Sequence, residues 1–417
     1  MTDSLRSSAA LPKTDALRER AAKVIPGGIF GHMTFDQRLG MPDHPQFYTA
    51  GEGAYLWDVD GNKYIDFMCS FGPMLQGHRN PVVEAAAQAQ AAKGDTLSAP
   101  SPFMVEFAEL LTDTIAIADW VRFSKNGTDA TSMAVQISRA ATGKKKLLKA
   151  KVAYHGGNAW FTPNLTGITP EDRANIVEFD FNDVASLEAT VAEYSGDIAA
   201  IILPPFKHDV FVPQVPIETA FALKARELAT KEGATLILDE VRSGFRLDVH
   251  GAWESIGVKP DLIAYSKALA NGYPIAATVG VESLRQAASE IYATGSFWYS
   301  AVPMAAGIAN VTEAVRIDAP AVIGAAGLRF KTGLEKQAAD AGLPLDLTGP
   351  TQMPLMIFAD DPEQKKGYAF TSAAVKRGVL LHPWHNMFVS TAHTDDVVDE
   401  ALAATAAAFD DIASLGL

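Results

Sequence analysis

Short apolar runs in the middle of the chain, separated by segments of helical periodicity, constrain the fold more than any other feature. Four such runs are DIAAIIL (197–203), ATLILDEV (234–241), LIAYS (262–266) and AATVGV (276–281). Strands that are apolar on both faces are typical of parallel sheets covered by helices on both sides. Between two of them, TAFALKARELATKEG has the periodicity of an amphipathic helix that ends at Gly233. The pattern predicts an α/β domain with a mainly parallel sheet.

The two ends of the chain predict a second, smaller region. Alternating residues in GAYLWDVDGNKYIDF, around Asp60-Gly61, predict a β-hairpin. An alanine-rich helix is expected from Val302, and residues 381–409 are expected to form a strand followed by a helix. We therefore expect an N-terminal arm and part of a small α+β domain in 1–70, a large ligand-binding domain in 71–305, and the rest of the small domain in 306–417.

Composition narrows the possible partners. The chain has 417 residues and a formal net charge of −14, which argues against nucleic acid or an anionic membrane as a partner. No apolar stretch reaches the length of a bilayer span. The single cysteine, Cys69, excludes an intrachain disulfide and predicts a cytoplasmic location. His382 and His385 have a spacing that could bind a metal, but without a third ligand nearby we predict no metal site.

An acid and a lysine each follow one of the predicted strands. Asp239 comes directly after one apolar run, and Lys267 follows the next, 28 positions later. Taken alone, Asp239 reads as a helix cap or a surface acid, and Lys267 as a lysine that reaches solvent. The carboxyl ends of neighbouring parallel strands meet at one sheet edge, where open α/β sheets bind ligands. We therefore expect the carboxylate and the amine to share a site.

Two further segments suggest what that site binds. Asn126-Gly127-Thr128 lies where a short strand runs into a helix, whose free N–H groups suit an anion. Tyr154 and His155 precede two glycines, a place where an aromatic ring can lie against a flat ligand. An amine, an acid, an anion cradle and an aromatic plate together indicate pyridoxal 5′-phosphate (PLP) bound to a lysine as a Schiff base.

Several motifs then resemble one known family. DEVRSGFR, AYSKALANGYPI, SKNGTDAT, AYHGG and ATGSFWYSAVPMAAG are similar, in order over roughly residues 24 to 410, to the class III aminotransferases of PLP fold type I. PGG, LWDVDGNKYIDFMCSFGPMLQGH and FVSTAHTDD resemble the glutamate-1-semialdehyde aminomutase branch of that family. The resemblance implies a large domain with a mostly parallel seven-stranded sheet and a smaller α+β domain from both termini.

The resemblance also implies roles for individual residues. Lys267 would bind the cofactor covalently, and Asp239 would pair with the pyridinium nitrogen. Val241 and Tyr154 would enclose the ring, while Ser296 would reach the phosphate of a neighbouring subunit in an obligate homodimer with shared active sites. The remaining cofactor-binding residues implied are His155 beside Tyr154 and, at the phosphate, Asn126, Gly127 and Thr128. Arg226 and Arg246 also match family positions, and we interpret them as structural.

Departures from the family pattern concern the substrate. Thr34 stands where the aminomutases carry an arginine that grips the substrate carboxylate, and Phe71 replaces a tryptophan. Pro204 replaces a glutamate of many relatives, and HPWHNMF lacks an arginine common in ω-amino-acid aminotransferases. KNGTDAT, TGSFWYSAVPMAA and HPWHNMFVSTAHT most resemble the fumonisin-type aminotransferases, which act on a long aminopolyol with pyruvate as acceptor. This similarity implies transfer from a bulky or long-chain primary amine without an α-carboxylate to pyruvate, giving a ketone or aldehyde and alanine through pyridoxamine 5′-phosphate.

The substrate contacts and the reaction type leave alternatives open. The candidate substrate-binding residues are His32, Thr34, Arg38, Phe71, His382, Trp384 and His385; His32, Arg38, His382 and His385 are also candidates for the carboxylate of the keto acid. One alternative is an aminomutase or another PLP isomerase, and a second is an aminotransferase for ω- or β-amino acids. A binding or regulatory protein that retains the cofactor without turnover is disfavoured, since both Lys267 and Asp239 are present.

Overall fold

Residues 11–31, 43–207 and 212–415 are described by the structure, which is a computed structural model. Its α-helices are α1 (Pro12–Val24), α2 (Pro81–Ala91), α3 (Phe103–Thr114), α4 (Gly127–Thr142), α5 (Pro170–Arg173), α6 (Val184–Glu193), α7 (Thr219–Glu232), α8 (Arg285–Glu290), α9 (Ala301–Arg316), α10 (Ala319–Asp340), α11 (Lys365–Val375) and α12 (Asp395–Ala413). Its strands are β1 (Tyr48–Glu52), β2 (Tyr55–Asp58), β3 (Lys63–Asp66), β4 (Trp120–Ser124), β5 (Lys146–Ala150), β6 (Ile176–Phe179), β7 (Ile198–Leu203), β8 (Phe206–Lys207), β9 (Val215–Pro216), β10 (Thr235–Asp239), β11 (Leu262–Tyr265), β12 (Ala276–Gly280), β13 (Leu345–Thr348), β14 (Leu355–Phe358) and β15 (Val379–Leu380).

A seven-stranded sheet forms the centre of the molecule, in the order β4-β12-β11-β10-β7-β5-β6. β12 runs antiparallel to both of its neighbours, and the other four pairs are parallel. Helix α4 packs on one face of this sheet, in the same hydrophobic cluster as Ile237 of β10. Helix α7 packs on the opposite face, in the same cluster as Leu236 and Leu238 of β10. Because side chains alternate along a strand, burial on both faces requires the unbroken apolar runs of the sequence. The expected α/β fold of type I is confirmed.

A smaller sheet joins the two ends of the chain. β1, β2 and β3 form an antiparallel meander, and β15 adds to β3 in parallel. The predicted hairpin around Asp60-Gly61 is therefore present as β2 and β3, with Gly61 at a φ of 90° that suits glycine. The two domain boundaries predicted from sequence stay predictions; the second, at residue 305, lies within α9.

Residues 381–394 differ from the expected strand. Only Val379–Leu380 pairs with β3, and the described chain then runs without a strand to α12. Pro383 has no N–H to donate, and Nδ1 of His382 accepts the amides of Trp384 (3.4 Å) and His385 (3.1 Å). These side-chain contacts replace a strand ladder with a turn. The turn places several side chains of this segment beside the sheet edge.

Arg246 ties this segment to a left-handed turn at Cys69–Gly72. Its guanidinium, which has no exposed surface, donates to the carbonyls of Val389 (2.7 Å), Gly72 (2.7 Å) and Met74 (3.0 Å). All four residues of the turn have positive φ, from 44° at Cys69 to 114° at Gly72. Such a run is unfavourable for side chains other than glycine, so outside contacts must hold it. Arg226 likewise has a structural contact, an ion pair of 2.7 Å with Asp261.

Two smaller findings concern the cell environment. Among the described residues, no helix combines the length and apolar character needed to cross a lipid bilayer. Cys69 is a free, buried thiol whose pKa is raised by burial. The cytoplasmic location inferred from this single cysteine stays a prediction.

Candidate active site

Lys267 and Asp239 line one pocket of about 130 Å³ at the carboxyl edge of the large sheet. Asp239 is the last residue of β10 and stands in register with Ala264 of the parallel strand β11. Lys267 follows β11 by two residues and has a φ of 46°. Strained backbone of this kind is common at functional sites. The structure thus brings together the two residues that the sequence singled out.

The carboxylate of Asp239 is fixed by two hydrogen bonds. One oxygen lies 2.7 Å from Nδ1 of His155, and the other accepts the backbone N–H of Val241 at 2.9 Å. His155 is itself buried, and the hydroxyl of Thr131 donates to its carbonyl at 2.6 Å. His155 therefore lies at the pocket wall and orients the acid. A carboxylate held in this way is suited to face a cationic ring nitrogen.

Lys267 is electrostatically unusual. Removal from water and the nearby cation of Arg242 lower its pKa to about 7, although Asp239 acts in the opposite direction. Its amine makes no hydrogen bond or ion pair within the described parts of the chain. The lowered pKa makes the neutral amine, the form that attacks a carbonyl or accepts a proton, available near pH 7.

The start of α4 forms an anion cradle in the same pocket. Gly127 and Thr128 line the pocket, and their N–H groups lack an acceptor among the described residues. The hydroxyl of Thr128 accepts the N–H of Gly157 at 3.0 Å. Asn126 points elsewhere, since both its backbone and side-chain nitrogens face the carboxylate of Asp129. Open N–H groups at a helix start suit a phosphate.

Val241 and Tyr154 form two walls of the pocket. A Cβ on Gly127 would lie 2.5 Å from Cγ1 of Val241, so only glycine permits this close approach. Tyr154 remains 47% exposed, and its pKa is raised by partial burial and by the charge of Asp239. The acid, the amine, the anion cradle and the apolar wall fit the pyridine nitrogen, aldehyde, phosphate and ring face of PLP.

An aromatic and imidazole cluster lies beside this pocket. Phe71 meets His385 edge to face at 5.1 Å, and His382 meets Trp384 at 4.3 Å. Phe71 and His382 also line a second pocket of about 280 Å³. Phe71 precedes Gly72, where a Cβ would lie 3.2 Å from Cδ of Lys267, whereas Lys267 is not among the residues that line the second pocket. No group of three His, Cys, Asp or Glu side chains suited to a metal ion occurs in the described residues.

Of the other predicted positions, Ser296 is absent from the pocket lining, three lie outside the described residues, and Pro204 lines the pocket. Ser296 is exposed in a turn after α8 and is not part of the lining. His32, Thr34 and Arg38 lie outside the described residues. Pro204 does line the pocket, as does Arg242, which the sequence reasoning missed. Arg242 lies three residues beyond Asp239 in the DEVRSGFR motif, so its closeness to the strand end was the available signal.

Comparisons with known proteins agree with this geometry. A family model described as Aminotransferase class-III matches residues 40–413. The aminopentol aminotransferase of Sphingopyxis macrogoltabida is 47% identical over 94% of this chain and 93% of its own. The PLP internal aldimine form of the FumI protein from Sphingopyxis sp. MTA144 superimposes with a TM-score of 0.94 at 46% identity, covering 96% of each chain. Glutamate-1-semialdehyde 2,1-aminomutase of Desulforudis audaxviator is 33% identical over 93% of this chain and 95% of its own.

The lowered pKa of Lys267 predicts the pH dependence of cofactor capture. A lowered pKa makes the neutral amine available at lower pH. The rate at which cofactor-free protein binds added PLP should therefore rise about tenfold per pH unit below pH 7 and then level off. Stopped-flow absorbance of added PLP measures this rate. N-acetyl-lysine amide under the same conditions is the control, and its rate should keep rising towards pH 10. A protein profile parallel to the control would contradict the lowered pKa.

Proposed function

The chain belongs to the class III aminotransferase family, and from this premise we propose that it moves an amino group from a long-chain primary amine to pyruvate. It is a PLP-dependent aminotransferase of fold type I. The amine donor and the acceptor are the proposed parts. The observation that carries the proposal is the shared pocket of Lys267 and Asp239, with an open N–H cradle opposite.

Each proposed role of the protein uses a group already in the pocket. Bound PLP supplies an electron sink that makes the proton on the amine-bearing carbon removable. Lys267, whose lowered pKa makes its neutral form available near pH 7, would take this proton at Nζ and return it to the aldehyde carbon of the cofactor, on the other side of the transferred nitrogen. Asp239, held by His155, keeps the proton on the ring nitrogen through an ion pair.

The other contacts to the cofactor are proposed from their places in the pocket. The N–H groups of Gly127 and Thr128 bind the phosphate, and Asn126 supports them through Asp129. Val241 and Tyr154 exclude water from the two ring faces. Water exclusion strengthens the pairing of Asp239 with the ring, because charges interact more strongly at low dielectric.

The second pocket supports a long donor. Apolar and aromatic residues such as Phe71, Met68 and Leu380 make up most of its wall, and polar groups interrupt it at His44, Gln46, Asp66, Ser70 and His382. Its volume of about 280 Å³ lies at the lower end of ordinary ligand pockets, which is room for part of a donor chain. Phe71, His382, Trp384 and His385 are proposed to border the donor chain. The relative at 47% identity is named for aminopentol, which makes a hydroxylated long-chain amine our preferred donor class.

A homodimer with shared active sites is also proposed. Ser296 is exposed, and its neighbours Tyr292 and Phe297 are 91% and 64% exposed. Exposed aromatic side chains in one segment are typical of a protein interface. In the dimer Ser296 would contact the phosphate in the other subunit.

Two half-reactions test the proposed donor and acceptor. Holoenzyme mixed with long-chain 2-amino alcohols, without a keto acid, should lose the visible absorbance of the bound cofactor as the amino group is transferred. Addition of pyruvate should restore the absorbance and yield one alanine per active site. The Lys267→Ala variant is the control and should show neither change.

The same experiment separates the alternatives. An isomerase, which the aminomutase relatives keep as a second candidate, would turn over a substrate with no added keto acid. Conversion by ω- or β-amino acids but not by neutral amines would contradict the proposed donor. Recovery of the absorbance with 2-oxoglutarate but not with pyruvate would contradict the proposed acceptor.

Light scattering tests the dimer. The wild-type protein should have the mass of two chains at micromolar concentration, and Phe297→Glu should shift it towards one, because a charge replaces an exposed aromatic contact. A monomeric wild-type holoenzyme would contradict the shared active site.

A further inference from the structure

Arg242 is a cation in the pocket whose charge no described residue neutralises. It follows Val241 at the end of β10, is partly buried, and lines the pocket with Lys267 and Tyr154. Its one hydrogen bond within the described residues is donated by Nη1 to the side-chain oxygen of Asn386. It forms no ion pair there, whereas Arg226 on the surface does.

Burial of a charged guanidinium without an anionic partner is energetically unfavourable. Loss of hydration lowers the pKa of Arg242 to about 10. Among the described residues that line the pocket, the only carboxylate is that of Asp239, which is already bonded to His155 and to the amide of Val241. Arginine retains its charge even so, because a pKa near 10 is still far above neutrality. The remaining N–H groups of Arg242 are therefore available to bind an anion. A planar guanidinium binds a carboxylate in bidentate geometry.

The geometry points to Arg242 as the residue that binds the carboxylate of the acceptor keto acid. This inference rests on the proposed function, in which the donor lacks a carboxylate next to the reacting carbon. The anion cradle of α4 is reserved for the cofactor phosphate, so Arg242 supplies the second anion site of the pocket. Its neighbour Lys267 acts on the carbonyl carbon that a keto acid carries directly beside its carboxylate.

The nearby histidine His385 is poorly suited to this task. Burial and the charges of Arg242, His382 and Lys267 lower its pKa well below the usual range, so the ring is neutral. Nδ1 lies 2.8 Å from the carbonyl of Asn386 and must donate to it, since a carbonyl only accepts. Nε2 then carries a lone pair, which repels a carboxylate.

Separate half-reactions of holoenzyme variants test the assignment. In Arg242→Gln, the pyridoxamine form should need roughly 10- to 100-fold more pyruvate for half-maximal rate, because a charge-assisted bidentate contact is lost. The response to propanal, an acceptor without a carboxylate, should change less than threefold. Arg329→Gln removes an exposed guanidinium paired with Asp399 and is the matched control. Because Arg242 also lowers the pKa of Lys267, each variant is compared on the plateau of its own pH profile.

Equilibrium binding gives a readout that does not depend on turnover. Binding of propionate can be followed by its effect on the cofactor absorbance. Propionate should bind roughly 10- to 100-fold more weakly to Arg242→Gln than to wild type, whereas propionamide, which has no carboxylate, should bind both proteins alike. Equal use of pyruvate by variant and wild type would overturn the inference. So would a loss of PLP affinity or a parallel loss with propanal, because Arg242 would then act on the cofactor. If the wild-type holoenzyme does not react with the amine in the first half-reaction, the proposed function is wrong, and not only the assignment of Arg242.

Discussion

The imbalance of charge in one pocket is the constraint on which the rest of the structure depends. Among the described residues, two cations, Lys267 and Arg242, line it with a single carboxylate, Asp239, while the start of α4 adds open N–H groups. Charges removed from water are costly unless paired. The cations are paired when ligands bind, because the ligands are anionic: a phosphate, and in our proposal the carboxylate of a keto acid. The lowered pKa of Lys267 is one measure of that cost.

The architecture keeps these charges in place without neutralising them. Parallel strands β10 and β11 end side by side, which fixes Asp239 and the approach to Lys267. Arg246 binds three carbonyls of the segments that carry Gly72 and Val389, and so holds the turn that lies against Lys267. His155 and the backbone N–H of Val241 each bind one oxygen of Asp239 and so fix the orientation of the acid. Rigidity around the pocket therefore preserves a free amine.

The fold was predictable from sequence where burial determines residue type. Strands such as β7 and β10 are covered on both faces, so their apolar runs identified them. The antiparallel direction of β12 was not predictable, because an apolar run has no direction. The helix expected within residues 381–409 is present, but the strand expected before it is not, because Pro383 and the side chain of His382 favour a turn there.

The site was predictable to the extent that its residues follow strands. Asp239 and Lys267 were identified in this way, and Gly127 and Thr128 by their place at a helix start. Arg242 was missed because a charged residue just past a strand usually faces solvent, and only the turn after β10 directs it into the pocket. The close approach of Phe71 to His385 depends on a left-handed turn that has no sequence signature besides Gly72.

The central claim is that Lys267 is the amine that binds the cofactor covalently. Borohydride reduction of the holoenzyme, followed by proteolysis and mass spectrometry, tests it most directly, because reduction makes the bond permanent. The account predicts one phosphopyridoxyl group per chain, on the peptide that contains Lys267. A group on any other lysine, or none on an active holoenzyme, would contradict it.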